Sequence, residues 1–182
     1  MFTSLSRTKS VTAELFIYAG IYTAAWWGLL FQPTGYWWDD WLLRTLTPQE
    51  NWEIYADQGN LFFGSIVVGL HTLSPVSLSI VTFLCGFITS IFFGRISGRF
   101  FRLSAHSVFV ITVLTLVLPL VTARLLKVMT PFYVDMFLFT LAWYLLTRFL
   151  TRRFWLVSFV SIPLLALSFT TPSLMPMNYV FL

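Results

Sequence analysis

Hydrophobic and polar positions alternate along this chain in long blocks rather than at the short periods of amphipathic surface elements. Five largely apolar blocks, at approximately 13–31, 76–96, 104–123, 131–150 and 154–174, each reach the roughly 20 residues that a helix needs to cross a hydrocarbon core of about 30 Å. A sixth apolar stretch, 61–73, is too short and too glycine-rich (Gly59, Gly64, Gly69) for a span; Pro75 closes it, and it reads as an interfacial or re-entrant helix. The pattern predicts an all-α, polytopic helical membrane protein with about five transmembrane helices, built as a single domain over 1–182.

Composition agrees. The chain is 58% hydrophobic and 10% charged, against roughly 25% charged in soluble proteins, and its mean hydropathy is +0.81. Its 8 Trp and 7 Tyr suit side chains that favour the headgroup level. The net charge of +4 is spread over short loops, which speaks against nucleic acid as a partner and for membrane lipids. A lone cysteine, Cys85, excludes an internal disulfide framework and a Cys-rich metal site, and reads as a small packing residue.

Charge also orients the spans. With a cytoplasmic N-terminus (1–12), the cytoplasmic side holds Arg7, Lys9, Arg95, Arg99, Arg102, Arg148, Arg152 and Arg153, and the outer side Arg44, Arg124 and Lys127, a split of 8 to 3. Counting 61–73 as a span flips everything after it and makes the split 4 to 7. Five spans follow. The first block, behind Arg7 and Lys9 and without a small-x-small cleavage site after it, reads as a retained signal anchor, with Thr12 as N-cap and Glu14 at the positive helix end.

The outer loop, 32–75, collects five of the seven acids. Within it Thr47-Pro48-Gln49-Glu50 predicts a helix to about Asp57, with Thr47 as N-cap, Pro48 at N1 and Glu50 at N3. Ahead of that lies Gly35-Tyr36-Trp37-Trp38-Asp39-Asp40-Trp41, two adjacent carboxylates among aromatics. They suit a general base or an orienting carboxylate for an acceptor; equally, they suit a solvated helix start anchored by the tryptophans. Arg124 and Lys127, three residues apart, share a helix face and suit a phosphate headgroup, or snorkel to lipid phosphates. Asp135, four residues after Pro131, reads as a first-turn acid or as a partner of Arg124 or Lys127. His71 has no companions at metal-ligand spacing and reads as a hydrogen-bonded residue. No phosphate loop, His-Glu-x-x-His, Gly-x-Ser-x-Gly or Cys/His cluster occurs, so no cofactor or metal is expected from the residues. Few ionisable residues fall inside the blocks, which disfavours a channel or proton-coupled transporter.

The order of basic N-terminus, one span, outer loop with Tyr36-Trp37-Trp38-Asp39-Asp40-Trp41, short interfacial stretch and further spans resembles the N-terminal part of GT-C-type membrane glycosyltransferases, most closely the bacterial O-antigen glucosyltransferase (GtrII-like) kind. Leu167-Ser168-Phe169-Thr170-Thr171-Pro172-Ser173-Leu174 is similar to a loop such enzymes carry. The resemblance implies a bacterial inner-membrane enzyme that moves a sugar from a polyprenyl-phosphate-linked donor to a cell-envelope glycan or lipid acceptor on the outer face. Asp39 and Asp40 would be catalytic, and Arg124, Lys127, Trp41 and Arg44 would bind substrate. Members of that kind have more spans, so a chain closing at Met177–Leu182 reads as a partial member. The competing class is a non-catalytic membrane subunit or scaffold of an envelope-biogenesis complex with a membrane-protein partner; a flippase-like lipid carrier is the third.

Overall fold

A computed structural model describes residues 2–31, 40–118, 130–152 and 155–169. Among these residues every regular element is a helix: α1 (Phe2–Phe31), α2 (Asp40–Thr45), α3 (Pro48–Asp57), α4 (Leu61–Leu73), α5 (Pro75–Phe100), α6 (Ala105–Val117), α7 (Thr130–Arg152) and α8 (Trp155–Ser168). The all-α expectation is met. One helix segment, Val76–Phe100 in α5, is long and apolar enough to cross a membrane.

The other helices differ from the expected blocks in bounds and composition. Helix α6 stops at Val117 rather than at 123, because Pro119 follows and forces Leu118 out of the helical region (φ −55°, ψ 116°). Its 13 residues extend about 20 Å. Helix α7 has 23 residues, but Tyr133, Asp135, Thr140, Tyr144 and Thr147 dilute its apolar character. Helix α1 starts at Phe2, so Thr12 lies inside the helix and does not cap it. Residues 119–123 and 170–174 of the expected spans lie outside the described residues.

Helix α5 is the centre of the packing. Helix α6 folds back on it as an antiparallel hairpin along small residues four apart, Gly86, Ser90, Gly94 and Gly98. Ser90 Oγ donates to Gly86 O (2.9 Å) and reaches Thr115 O (3.5 Å). A Cβ at Gly94 would collide with Thr112, and one at Gly98 with Val108. Small residues at this spacing let two backbones approach closely. The hairpin turn carries Arg102 at φ 51°, with Phe101 N–H donating to Ser97 O and Leu103 N–H to Gly98 O, both 3.0 Å. This is the helix-ending motif in which glycine normally takes the left-handed position. Ser104 then caps α6 by accepting from Ser107 N–H.

Helix α1 lies antiparallel to α5 and parallel to α6, placing Tyr18, Tyr22 and Trp26, four residues apart, in one buried stripe. Tyr18 stacks on Phe109, and Tyr22 packs on Phe83 and Phe87. At Trp26 α1 kinks (φ −122°, ψ 23°), and the indole N–H donates to Leu116 O at 2.7 Å. That carbonyl is in the last turn of α6. Helix α7 runs parallel to α5, joined at one end by Thr82–Thr130 (2.8 Å between hydroxyls) and at the other by Arg99 to Thr147 (3.0 Å).

Polarity is distributed unusually. Ser79, Thr82, Ser90, Thr112, Thr130, Asp135, Thr140, Thr147 and Ser161 are buried, whereas Phe16, Ile17, Leu84, Leu114, Phe159 and Ile162 are exposed. Several of the buried hydroxyls are held locally: Thr112, Thr140 and Thr147 donate to carbonyls three or four residues back.

Candidate functional site

The acidic loop expected to carry chemistry folds, from Asp40 onward, into three short helices stacked on the N-terminal end of α5. Asp40 and Trp41 form the first turn of α2, and Leu43 is buried against Val67 of α4 and Leu78 of α5. Arg44 is exposed in the last turn of α2, where its charge complements the helix C-terminus. Asp39, Arg124 and Lys127 lie outside the described residues. Among the expected site residues, Arg44 is the one whose side chain is described.

The helices around α2 are held by well-defined local contacts. Helix α3 begins where the Thr-Pro-x-Glu pattern requires: Glu50 N–H donates to Thr47 Oγ1 (3.3 Å) and Thr47 N–H donates back to Glu50 Oε2 (2.7 Å). The Thr47 N–H, and then its hydroxyl, hold the Glu50 carboxyl below its usual range. Buried Asn51 ties the α2–α3 turn by donating from Nδ2 to Leu46 O (3.3 Å) and Thr47 O (3.2 Å). Trp52 Nε1 donates to Ser65 Oγ (3.2 Å), and Tyr55 lies so close over Gly64 that any Cβ there would collide with it. Helix α4 spans Leu61–Leu73, the bounds of the apolar stretch. Ser74 then turns extended (φ −172°, ψ 139°) and caps α5 through Val76 N–H.

At the opposite end of α5 is a cavity of about 710 Å³ between α1, α5 and α6, lined among others by Glu14, Tyr18, Arg95, Arg99 and Thr112. Glu14 Oε1 accepts from Tyr18 Oη at 2.6 Å. Arg99 donates to Thr147 Oγ1 (3.0 Å) and lies 5.0 Å from the Tyr144 ring centre, with Arg148 at 5.4 Å from the same ring and Phe92 stacked on it at 4.5 Å. This cluster was not anticipated from the sequence. Its signals were present there: Glu14 stands one helical turn before Tyr18, and Gly94 and Gly98 bracket Arg95 with the spacing of a close helix contact.

Three further expectations resolve. Asp135 is not a first-turn acid: α7 starts at Thr130, which puts Asp135 in the second turn, and the residue is fully buried. His71 is half-buried in the last turn of α4, and Cys85 is a free, half-buried thiol within α5. Among the described residues no three His, Cys, Asp or Glu side chains come together. Compared with known proteins, the chain matches no family model, no curated protein and no solved structure.

Proposed function

We propose that this chain is a multi-pass membrane protein that transfers a sugar from a polyprenyl-phosphate-linked donor to a cell-envelope acceptor, with Asp39 or Asp40 as base or acceptor-orienting group. The multi-pass reading is supported by the distribution of polarity. Hydroxyl-bearing side chains and one carboxylate are turned inward while Phe, Ile and Leu face outward on α1, α5, α6 and α8. In water this arrangement would expose apolar surface for no gain; in lipid it satisfies polar groups internally and leaves apolar ones in contact with acyl chains.

One observation carries the transfer reading: Asp40 and Trp41 open α2 at one end of α5, and the arginines gather at the other. Leu78, against which α2 packs, and Arg99 are 21 positions apart on α5, about 32 Å of helix. That matches the thickness of a hydrocarbon core. By the positive-inside rule Arg95, Arg99, Arg102 and Arg148 mark the cytoplasmic face, so Asp40 faces outward, beside helices α3 and α4 that lie on the interface. A lipid-linked donor presents its sugar at this level, and a carboxylate there can take the acceptor's proton. Arg44, Arg124 and Lys127 supply cations for the donor phosphate, and Trp41 a stacking face for the sugar.

The test is sugar transfer in membranes containing this chain, using a panel of radiolabelled polyprenyl-phosphate sugars. Transfer that is lost in Asp39→Asn or Asp40→Asn, with the variant still inserted, supports the assignment. Stable insertion with no transfer by the parent chain moves the reading to the non-catalytic subunit class.

A further inference from the structure

The cavity between α1, α5 and α6 plays no part in the proposed transfer, yet it gathers two guanidinium groups and one carboxylate in a volume of about 710 Å³. That size falls in the range of small-molecule sites. Arg95 is half-buried in its wall and makes no hydrogen bond to a described residue. Arg99 is anchored from α7 through one N–H to Thr147, which leaves most of its five donors for another group. Arg95 lies in a wall that includes Ile17, Val108 and Phe109, and Glu14 offsets only one of the two guanidinium charges, so the cavity keeps an excess positive charge.

Its charge balance narrows the anion. Two arginines and Glu14 sum to +1, which a singly charged phosphodiester neutralises and a doubly charged phosphomonoester overshoots. Glu14 repels a bare phosphate but accepts a hydrogen bond from a hydroxyl, as its Oε1 already does from Tyr18. We propose that this cavity binds a glycerol phosphodiester, with the phosphate on Arg95 and Arg99 and a glycerol hydroxyl on Glu14. The lipid form of this ligand rests on the multi-pass reading, which puts the cavity at the cytoplasmic interface, where basic pockets between helices take headgroups.

The experiment uses purified protein and measures binding of phosphatidylglycerol, phosphatidic acid and phosphatidylcholine from vesicles, with soluble glycerophosphoglycerol as competitor. Phosphatidylglycerol should bind best. Arg95→Gln should weaken it about tenfold, the loss of one charge-assisted hydrogen bond, while Arg95→Lys retains part of the affinity. Glu14→Gln should erase the preference over phosphatidic acid. Arg102→Gln, an exposed charge at the same end outside the cavity, should bind as the parent does. Competition by the soluble diester assigns the site to a free phosphodiester, and retention of lipid against it assigns the site to the leaflet. Equal binding of phosphatidylcholine, or equal losses in Arg95→Gln and Arg102→Gln variants of unchanged thermal stability, overturns the proposal. Resistance of the chain to alkaline carbonate extraction is read separately, so failure of the membrane reading is distinguished from failure of the site.

Discussion

Replacing Gly94 by alanine tests a close contact between α5 and α6. A Cβ at this position overlaps Thr112 Oγ1 and comes within 3.4 Å of the Thr112 backbone Cα. Thr112 cannot simply swing away, because it is buried and its hydroxyl donates to Val108 O at 2.8 Å. Helix α6 must retreat, and overpacking of this kind costs about 1–3 kcal/mol. Against it stands the helical preference of alanine over glycine, about 1 kcal/mol. Gly20→Ala isolates that second effect, since nothing lies within 4 Å of the new Cβ on α1. The difference between the two variants is then the overpacking cost alone, about 1–3 kcal/mol. At roughly 2–4 °C per kcal/mol for a chain of this size, thermal unfolding in detergent should place Gly94→Ala about 2–12 °C below Gly20→Ala. Adding Thr112→Ala to Gly94→Ala should recover part of the loss, because it removes the colliding hydroxyl. A Gly94→Ala midpoint equal to or above that of Gly20→Ala refutes the α5–α6 packing described here.

Two further expectations concern caps. Thr47→Ala removes the side-chain half of the α3 capping box and should cost about 1 kcal/mol, read from the same unfolding curves. In the parent, Glu50 titrates below its ordinary value of 4.5 because Thr47 donates to its ionised form. That stabilisation is complete above pH 4.5 and disappears as pH falls through the lowered value; carbon-detected NMR of Glu50 should show its midpoint rising toward 4.5 in Thr47→Ala. Arg102→Gly relieves a left-handed backbone position that L side chains adopt at a cost, and should stabilise the α5–α6 turn by about 1 kcal/mol. An unchanged or lowered midpoint in that variant would mean that the Arg102 side chain contributes more than its backbone costs.

Local chemistry was the readable part of this chain. Thr47, Pro48 and Glu50 announce α3 to the residue because a capping box is satisfied within four positions. Pro75 and the composition of 61–73 give α4 its bounds for the same reason. What depends on distant neighbours was not readable. Thr12 is a good cap residue, but no local signal says that the helix already runs through it from Phe2. Asp135 has the spacing of a first-turn acid, yet α7 begins at Thr130 and Asp135 is packed inside. The anion cavity needs α1 and α5 brought together by the Tyr22–Phe83–Phe87 cluster, a pairing more than 60 positions apart in sequence. The expected site is divided in the same way: Asp40, Trp41 and Arg44 acquire a helix and an anchor in Leu43, and Asp39, Arg124 and Lys127 fall outside the described residues.

The hydrogen bond from Trp26 to the end of α6 sets a clock on biosynthesis. Its partner carbonyl is 90 residues downstream. At roughly 5–20 residues per second, the ribosome needs about 5–18 s after making Trp26 before Leu116 exists. Within that interval the α5 partners Phe83, Phe87 and Ile91 are made first, and the α6 partners Phe109, Val113 and Leu116 only at its end. Helix α1 can therefore meet α5 before α6 exists, and the Trp26 bond that locks α1 to the end of α6 is the last of these contacts to become possible.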